Sequence, residues 1–171
     1  MEVTISPITP AQVKDLQALS IRTFSQTFTE DNTQEDLNKY INNSFSIEKL
    51  TSELYNQNSQ FYFACIEAVP VGYIKLNIND AQSEQFDLQA IELERIYVDS
   101  NFLGKKVGEA LLKYALDLAR KGAYNYIWLG VWEENHRALR FYEKNGFVAF
   151  DKHIFKMGDD EQTDLLMKLA L

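Results

Sequence analysis

The chain has 171 residues, 46% of them hydrophobic and 13% aromatic, and a formal net charge of −8. That share of apolar side chain argues against disorder, and the length favours one domain, residues 1–171, around a single substantial core. The acidic balance disfavours nucleic-acid backbones and anionic membranes as partners and would attract cationic ligands.

The N-terminus, MEVTISPITPAQVKDL, has no basic segment followed by an apolar one, and no apolar run is long enough to span a bilayer, so a cytoplasmic protein is expected. VTISPI reads as a short strand. After Pro10, the residues Val13, Leu16, Ala18, Leu19, Phe24 and Phe28 recur at helical spacing as far as residue 28. Two shorter helices are expected over TQEDLNKYINN and SIEKLTSELYNQ, their starts marked by Thr33 with Asp36 and by Ser46 with Lys49. The period then changes. FYFACIEA and VGYIKLNI, separated by Val69 and Pro70, read as an antiparallel hairpin.

The polar loop NDAQSEQFD leads into a strand, AIELERIYVD. From Gly104 to Lys121 the chain reads as helix, with an apolar stripe of Val107, Leu111, Tyr114, Ala115 and Leu118. Glu109 and Lys113 stand at pairing distance along it, and Gly122 closes it. YIWLGV is expected as a strand, ENHRALRFYEKN as a short helix ended by Gly146, and FVAFDKHIFKM as a strand. The turn GDDEQ then precedes a last strand, TDLLMKLAL. This order argues for α+β or mixed α/β architecture with a largely antiparallel sheet.

Cys65 lies in the apolar stretch FYFACIEA, so it reads as a small buried side chain in a reducing compartment, with no partner for an internal disulfide. Neither His136 nor His153 has a companion at metal-ligand spacing, and no metal is expected. The informative block is ELERIYVDSNFLGKKVGEALLKYAL. An apolar strand ends at Asp99, a turn holds Gly104, and a helix follows with Gly108 in its first turns. A helix start presents unpaired N–H groups suited to phosphate oxygens, and Lys105 and Lys106 add positive charge. The strand before it changes phase. Ile91 and Leu93 share one parity, while Ile96 and Val98 share the other with Glu92 and Glu94. Either both faces are buried or a β-bulge near Arg95 shifts the register. A second block, WLGVWEENHRALRFYEKNGF, runs from a strand into a helix carrying Asn135, Ala138, Tyr142 and Lys144; by itself it reads as a helix face packed on the sheet.

Together the two blocks resemble the GNAT acetyltransferases. YVDSNFLGKKVGEALL is similar to that family's coenzyme A motif and ENHRALRFYEKNGF to its second motif. IRTFSQTF, DAQSEQ, LERIYV, WLGVWEEN and MGDDEQTD extend the resemblance, over nearly the whole chain, to the PaiA-type spermidine and spermine acetyltransferases. The resemblance implies a central, mostly antiparallel twisted sheet of about seven strands with helices on both faces. It implies acetyl-coenzyme A as co-substrate, its pantetheine arm along Ile96, Tyr97 and Val98 and its pyrophosphate on the N–H groups of Leu103, Gly104, Lys105, Lys106, Val107, Gly108 and Glu109. Asn135 would touch the cofactor or fix the turn beneath it, and Lys144 would reach its phosphates. The family pattern has Arg or Gln, then Gly, then Gly or Ala, where this chain has Leu103, Lys106 and Gly108, so only the last position fits. Lys106 is expected to keep helical dihedrals and to offer its N–H.

The same resemblance assigns Glu94 as the base that removes the ammonium proton, with Glu92 as the runner-up, and Tyr142 as the acid that reprotonates the departing thiolate. The N–H of Val98 would face the oxyanion. A carboxylate base and a phenol acid are chemically competent for these two transfers. The implied acceptor is a small, polycationic amine such as spermidine or spermine, with Asp31, Glu35, Asp80, Glu84 and Asp87 in segments that could line its side. The alternatives are an acetyl-coenzyme A-binding regulatory module and a protein or peptide N-acetyltransferase. A homodimer is common in the family.

Overall fold

The computed structural model describes residues 1–157 and 159–171. The elements in chain order are β1 (Thr4–Pro7), α1 (Val13–Phe28), α2 (Gln34–Ser44), α3 (Ile47–Tyr55), β2 (Ser59–Ile66), β3 (Val69–Asn77), β4 (Ala90–Val98), α4 (Val107–Lys121), β5 (Tyr126–Trp132), α5 (His136–Lys144), β6 (Val148–Met157) and β7 (Asp160–Ala170). The strands form one seven-stranded sheet in the order β1-β2-β3-β4-β5-β7-β6. Every neighbouring pair is antiparallel except β4 and β5, which run parallel with α4 as their crossover. The expected mixed α/β architecture is what the chain adopts.

Helices cover both faces because strand side chains alternate between them. On one face Leu111, Leu112 and Ala115 of α4 and Tyr142 of α5 bury Ile91, Leu93, Ile127 and Leu129. On the other, Leu16, Leu19 and Phe24 of α1, Leu37 of α2 and Leu50 of α3 bury Phe61, Phe63 and Tyr73. The expected helix starts hold. Thr33 Oγ1 accepts from the Asp36 N–H at 3.1 Å, and Ser46 Oγ accepts from the Lys49 N–H at 3.1 Å.

The phase change in β4 is a bulge. Lys75 pairs with Arg95 and the next residue, Leu76, pairs with Leu93, so Glu94 is the extra residue. It lets Ile91 and Leu93 before it, and Ile96 and Val98 after it, pack against the same core.

Several expectations change. The β2–β3 turn is made by Glu67 and Ala68, with φ of +50° and +65°, not by Val69 and Pro70, which belong to β3. Two successive positive φ values match the twist of a two-residue hairpin, at a steric cost that Gly or Asn would avoid. Helix α4 starts at Val107, three residues later than expected, because Gly104 (φ +78°) and Lys106 (φ +65°) are left-handed and interrupt a helical path. At its end the left-handed residue is Ala123, while Gly122 stays right-handed. Lys113 pairs with Asp117, not Glu109, which reaches Lys144 instead. Strand β7 takes in Asp160, Glu161 and Gln162 from the expected GDDEQ turn, whose Gly158 lies outside the described residues.

Candidate active site

Strands β4 and β5 pair only from Ala90 to Glu92 and from Tyr126 to Trp128. Beyond that they part, and the opening leads into a cavity of about 970 Å³. Register shows what its edges offer. The Asp99 N–H donates to the Val71 carbonyl of β3 at 2.8 Å, and alternation along an antiparallel ladder then turns Tyr97 toward β3 as well. The N–H and C=O groups of Ile96 and Val98 therefore face the opening. On β5, Glu133 N–H donates to the Thr163 carbonyl beside β7, so the same alternation turns the polar groups of Gly130 and Trp132 toward the opening. A ligand carrying amide groups can extend either edge.

The start of α4 closes one end. Its first N–H groups, at Val107, Gly108 and Glu109, precede any intrahelical acceptor. Leu103, Gly104, Lys106, Val107, Gly108 and Glu109 all line the cavity, whereas Lys105 does not and lies over the Phe102 ring. Lys106 does not keep helical dihedrals as expected. It occupies, at φ +65°, a conformation that glycine takes without strain. Helix α1 braces this turn: Arg22 Nε donates to Asp99 Oδ2 at 2.8 Å, and Gln26 Oε1 accepts from the Ser100 N–H at 2.9 Å. Asn135 caps α5, its Oδ1 accepting from the Ala138 N–H at 3.2 Å, and also lines the cavity. Lys144 lies outside it, paired with Glu109 at 3.5 Å.

Tyr142 is 7% exposed, and its ring packs edge-on against Phe141 and Phe147. It lines the cavity, its hydroxyl has no hydrogen-bond partner among the described residues, and burial pushes the phenol far above its ordinary pKa. It therefore keeps its proton throughout the physiological range and can serve only as a donor there.

The other end of the cavity holds acids and aromatic rings, among them Phe28, Trp128 and Trp132. Glu94 accepts from Lys75 Nζ at 3.0 Å and Asn77 Nδ2 at 2.8 Å, and pairs with Arg95 Nε at 3.1 Å. Burial alone would raise its pKa, but Arg95 and Lys75 outweigh that and hold the carboxyl below its usual range. This geometry suits the expected role of direct proton acceptor poorly, because a carboxylate paired with two cations has little affinity for a proton. Glu53 of α3 joins the same network through Lys75 and Arg95. Glu92, 2% exposed, accepts from Asn77 and from both the N–H and hydroxyl of Ser83. Its burial raises its pKa against those bonds.

Two further cavity residues, His153 on β6 and Asp164 on β7, carry no expected catalytic role. They stand opposite each other in the β6–β7 ladder. Glu84, from the β3–β4 connection, reaches His153 Nδ1 at 3.1 Å. The signal for the pair was the hairpin itself: once Met157 is set opposite Asp160, counting back places residue 153 against residue 164. Of the other acids expected near the acceptor, Asp31 lines a separate shallow groove, and Glu35, Asp80 and Asp87 do not line the cavity. Cys65 is buried in β2, where burial raises its thiol pKa. Among the described residues no group of three His, Cys, Asp or Glu side chains is arranged to hold a metal, and no helix is long and apolar enough to cross a membrane.

Residues 16–147 match the profile of the acetyltransferase (GNAT) family. The chain belongs to that family. It is 37% identical over 169 residues to an uncharacterized N-acetyltransferase in the pepI 3′ region of Lactobacillus delbrueckii subsp. lactis, covering 99% of this chain and 98% of the relative. This GNAT chain is also 24% identical over 172 residues to the spermidine N(1)-acetyltransferase of Thermoplasma acidophilum, covering 98% and 97%. In fold it resembles the crystal structure of the PaiA N-acetyltransferase of T. acidophilum in complex with coenzyme A, with a TM-score of 0.83, 23% identity and full coverage of both chains. It is an acetyl-coenzyme A-dependent N-acetyltransferase. The open edges of β4 and β5 and the free N–H groups of α4 fit the amide-bearing arm and the diphosphate of that co-substrate.

Proposed function

We propose that the protein acetylates a primary amine of a small polycation, with spermidine and spermine as the model acceptors. The observation that carries this reading is the make-up of the cavity beyond the parted strands. There, among the described residues, the carboxylates of Glu92 and Asp164 are not neutralised by Lys or Arg, and aromatic rings line the same space. Acids attract the ammonium groups that do not react, and the rings of Phe28 and Trp132 suit the methylenes and cationic centres between them. The likeness to a spermidine N(1)-acetyltransferase supports the same class. A reducing, cytoplasmic setting with no nucleic acid or membrane partner belongs to this reading too, with unpaired Cys65 and the net charge of −8 as its supports.

When bound, acetyl-coenzyme A supplies an activated acetyl group. The chain's residues then manage two protons. An ammonium with a pKa of about 10.4 must be neutralised before its nitrogen can attack, which at pH 7 costs about 4.6 kcal/mol. At the other side of the reaction Tyr142 donates its hydroxyl proton toward the departing sulfur. Backbone N–H groups of Val98 and of the start of α4 orient the co-substrate, and Glu94, held in its ion-pair network, shapes the wall opposite.

The test is a free-thiol release assay with spermidine, spermine, single amino acids and N-terminal peptides as acceptors. The polyamines should give the highest kcat/KM. Faster turnover of peptides would replace this reading with a protein-directed enzyme. Tight acetyl-coenzyme A binding with no thiol released from any amine would replace it with a regulatory module.

A further inference from the structure

We propose that His153 Nε2 accepts the proton of the acceptor ammonium, and that Glu84 is the positioning residue that sets the imidazole for it. This rests on the reading that the acceptor is an amine. The geometry argues by elimination among the cavity's acceptors. Both oxygens of Glu92 are occupied by Asn77 and Ser83, both oxygens of Glu94 by Lys75, Asn77 and Arg95, and both oxygens of Glu53 by Lys75 and Arg95, while Glu109 stands at the α4 end paired with Lys144. His153 and Asp164 are different. Glu84 Oε1 lies 3.1 Å from His153 Nδ1, so Nδ1 carries the hydrogen and donates it, leaving the lone pair on Nε2. The second oxygen of Glu84, Oε2, is buried and bonds to nothing among the described residues, so this carboxylate serves the imidazole alone.

On its other side Nε2 stands 3.7 Å from Asp164 Oδ2, beyond hydrogen-bond length. Both groups line the cavity. An ammonium placed between them can donate one N–H to Asp164 and another to Nε2. The proton taken by Nε2 makes an imidazolium flanked by Glu84 and Asp164, two charges that favour it, and passes on to solvent, to which the His153 side chain is 31% exposed. The freed nitrogen lone pair forms the new N–C bond as the C–S bond breaks. The nitrogen's surplus proton balances the departing sulfur by way of Tyr142.

Among the described residues, the charged groups facing His153 are Glu84 from the β3–β4 connection and Asp164 from β7. Helix α2, which also packs on β6, brings Asp36 and Lys39 to Asp159, beyond the far end of that strand.

The experiment measures kcat/KM for spermidine from pH 6 to 10 at saturating acetyl-coenzyme A, for the wild-type chain and for His153→Gln and Glu84→Gln. His153→Gln should lose about 10²–10³-fold at pH 7 and recover toward pH 10, where the free amine needs no base. Its KM for acetyl-coenzyme A should stay unchanged, which reports an intact fold. Glu84→Gln should lose less, keep its KM for acetyl-coenzyme A, and no longer hold the hydrogen on Nδ1 alone, a change in tautomer that a merely structural role would not produce. A His153→Gln enzyme with the wild-type rate and acid limb overturns the proposal. A second measurement does not depend on turnover: ¹⁵N resonances recorded where the imidazole is neutral should place its hydrogen on Nδ1, and hydrogen on Nε2 would overturn the proposal too. If the wild-type chain releases no thiol with any amine, the reading of an amine acceptor fails by itself, while the tautomer still decides the geometry.

Discussion

Asp164 offers a stability measurement that reports directly on the electrostatics of the cavity. Burial lifts its pKa from the ordinary 3.8 to about 6, with His153 pulling the other way. The folded state therefore holds a proton that the unfolded chain gives up more readily. Well below pH 3.8 the group is neutral in both states and burial has no charge to penalise. As pH rises from 3.8 through about 6, the unfolded chain ionises first and folding has to bear a buried carboxylate, so stability is lost across that window. The span from 3.8 to about 6, at 1.36 kcal/mol per pH unit, sets an upper size of about 3 kcal/mol. Asp164→Asn keeps the shape and removes the charge. The variant should equal the wild type in urea unfolding near pH 4.5, within about 1 kcal/mol, and exceed it by about 2–3 kcal/mol at pH 7.5. It should also lose activity toward polyamines, since stability and function are opposed at this position. A stability difference that does not change between pH 4.5 and 7.5 would refute the assignment of a raised carboxyl pKa.

Tyr142→Phe should lower kcat by about 10²-fold with little change in KM for acetyl-coenzyme A, checked by steady-state kinetics; an unchanged kcat removes the acid role. Glu53→Ala leaves Lys75 (4% exposed) and Arg95 with only Glu94 between them, and should cost about 3 kcal/mol in chemical unfolding. Lys106→Gly relieves a left-handed non-glycine residue and should raise stability by about 1 kcal/mol, read from thermal unfolding, whereas Lys106→Ala should leave it nearly unchanged.

Much of the scaffold was legible in the amino-acid order because it depends on local pattern. The apolar stripe of α4, the caps Thr33 and Ser46, and the apolar runs of β2 and β3 each express a pattern or a hydrogen bond confined to a few neighbours. The bulge at Glu94 belongs here as well, since the phase change from Leu93 to Ile96 is visible without any partner strand. So does the cofactor end of the cavity, where the strand, the glycine-bearing turn and the helix are consecutive. What was misplaced locally was backbone conformation with no residue signature: Glu67, Ala68, Lys106 and Ala123 take positive φ although none is Gly or Asn.

The acceptor end was decided by tertiary structure. Glu94 looks like a free carboxylate in the strand, and only the approach of Lys75 from β3 and Glu53 from α3 turns it into one member of a four-charge network. Glu84, His153 and Asp164 are separated by up to 80 positions and come together through strand pairing and one connecting loop. A proton's destination depends on which acceptors remain uncommitted after the charges have paired. That is a property of distances across the sheet, and it is not written in the spacing of any one segment.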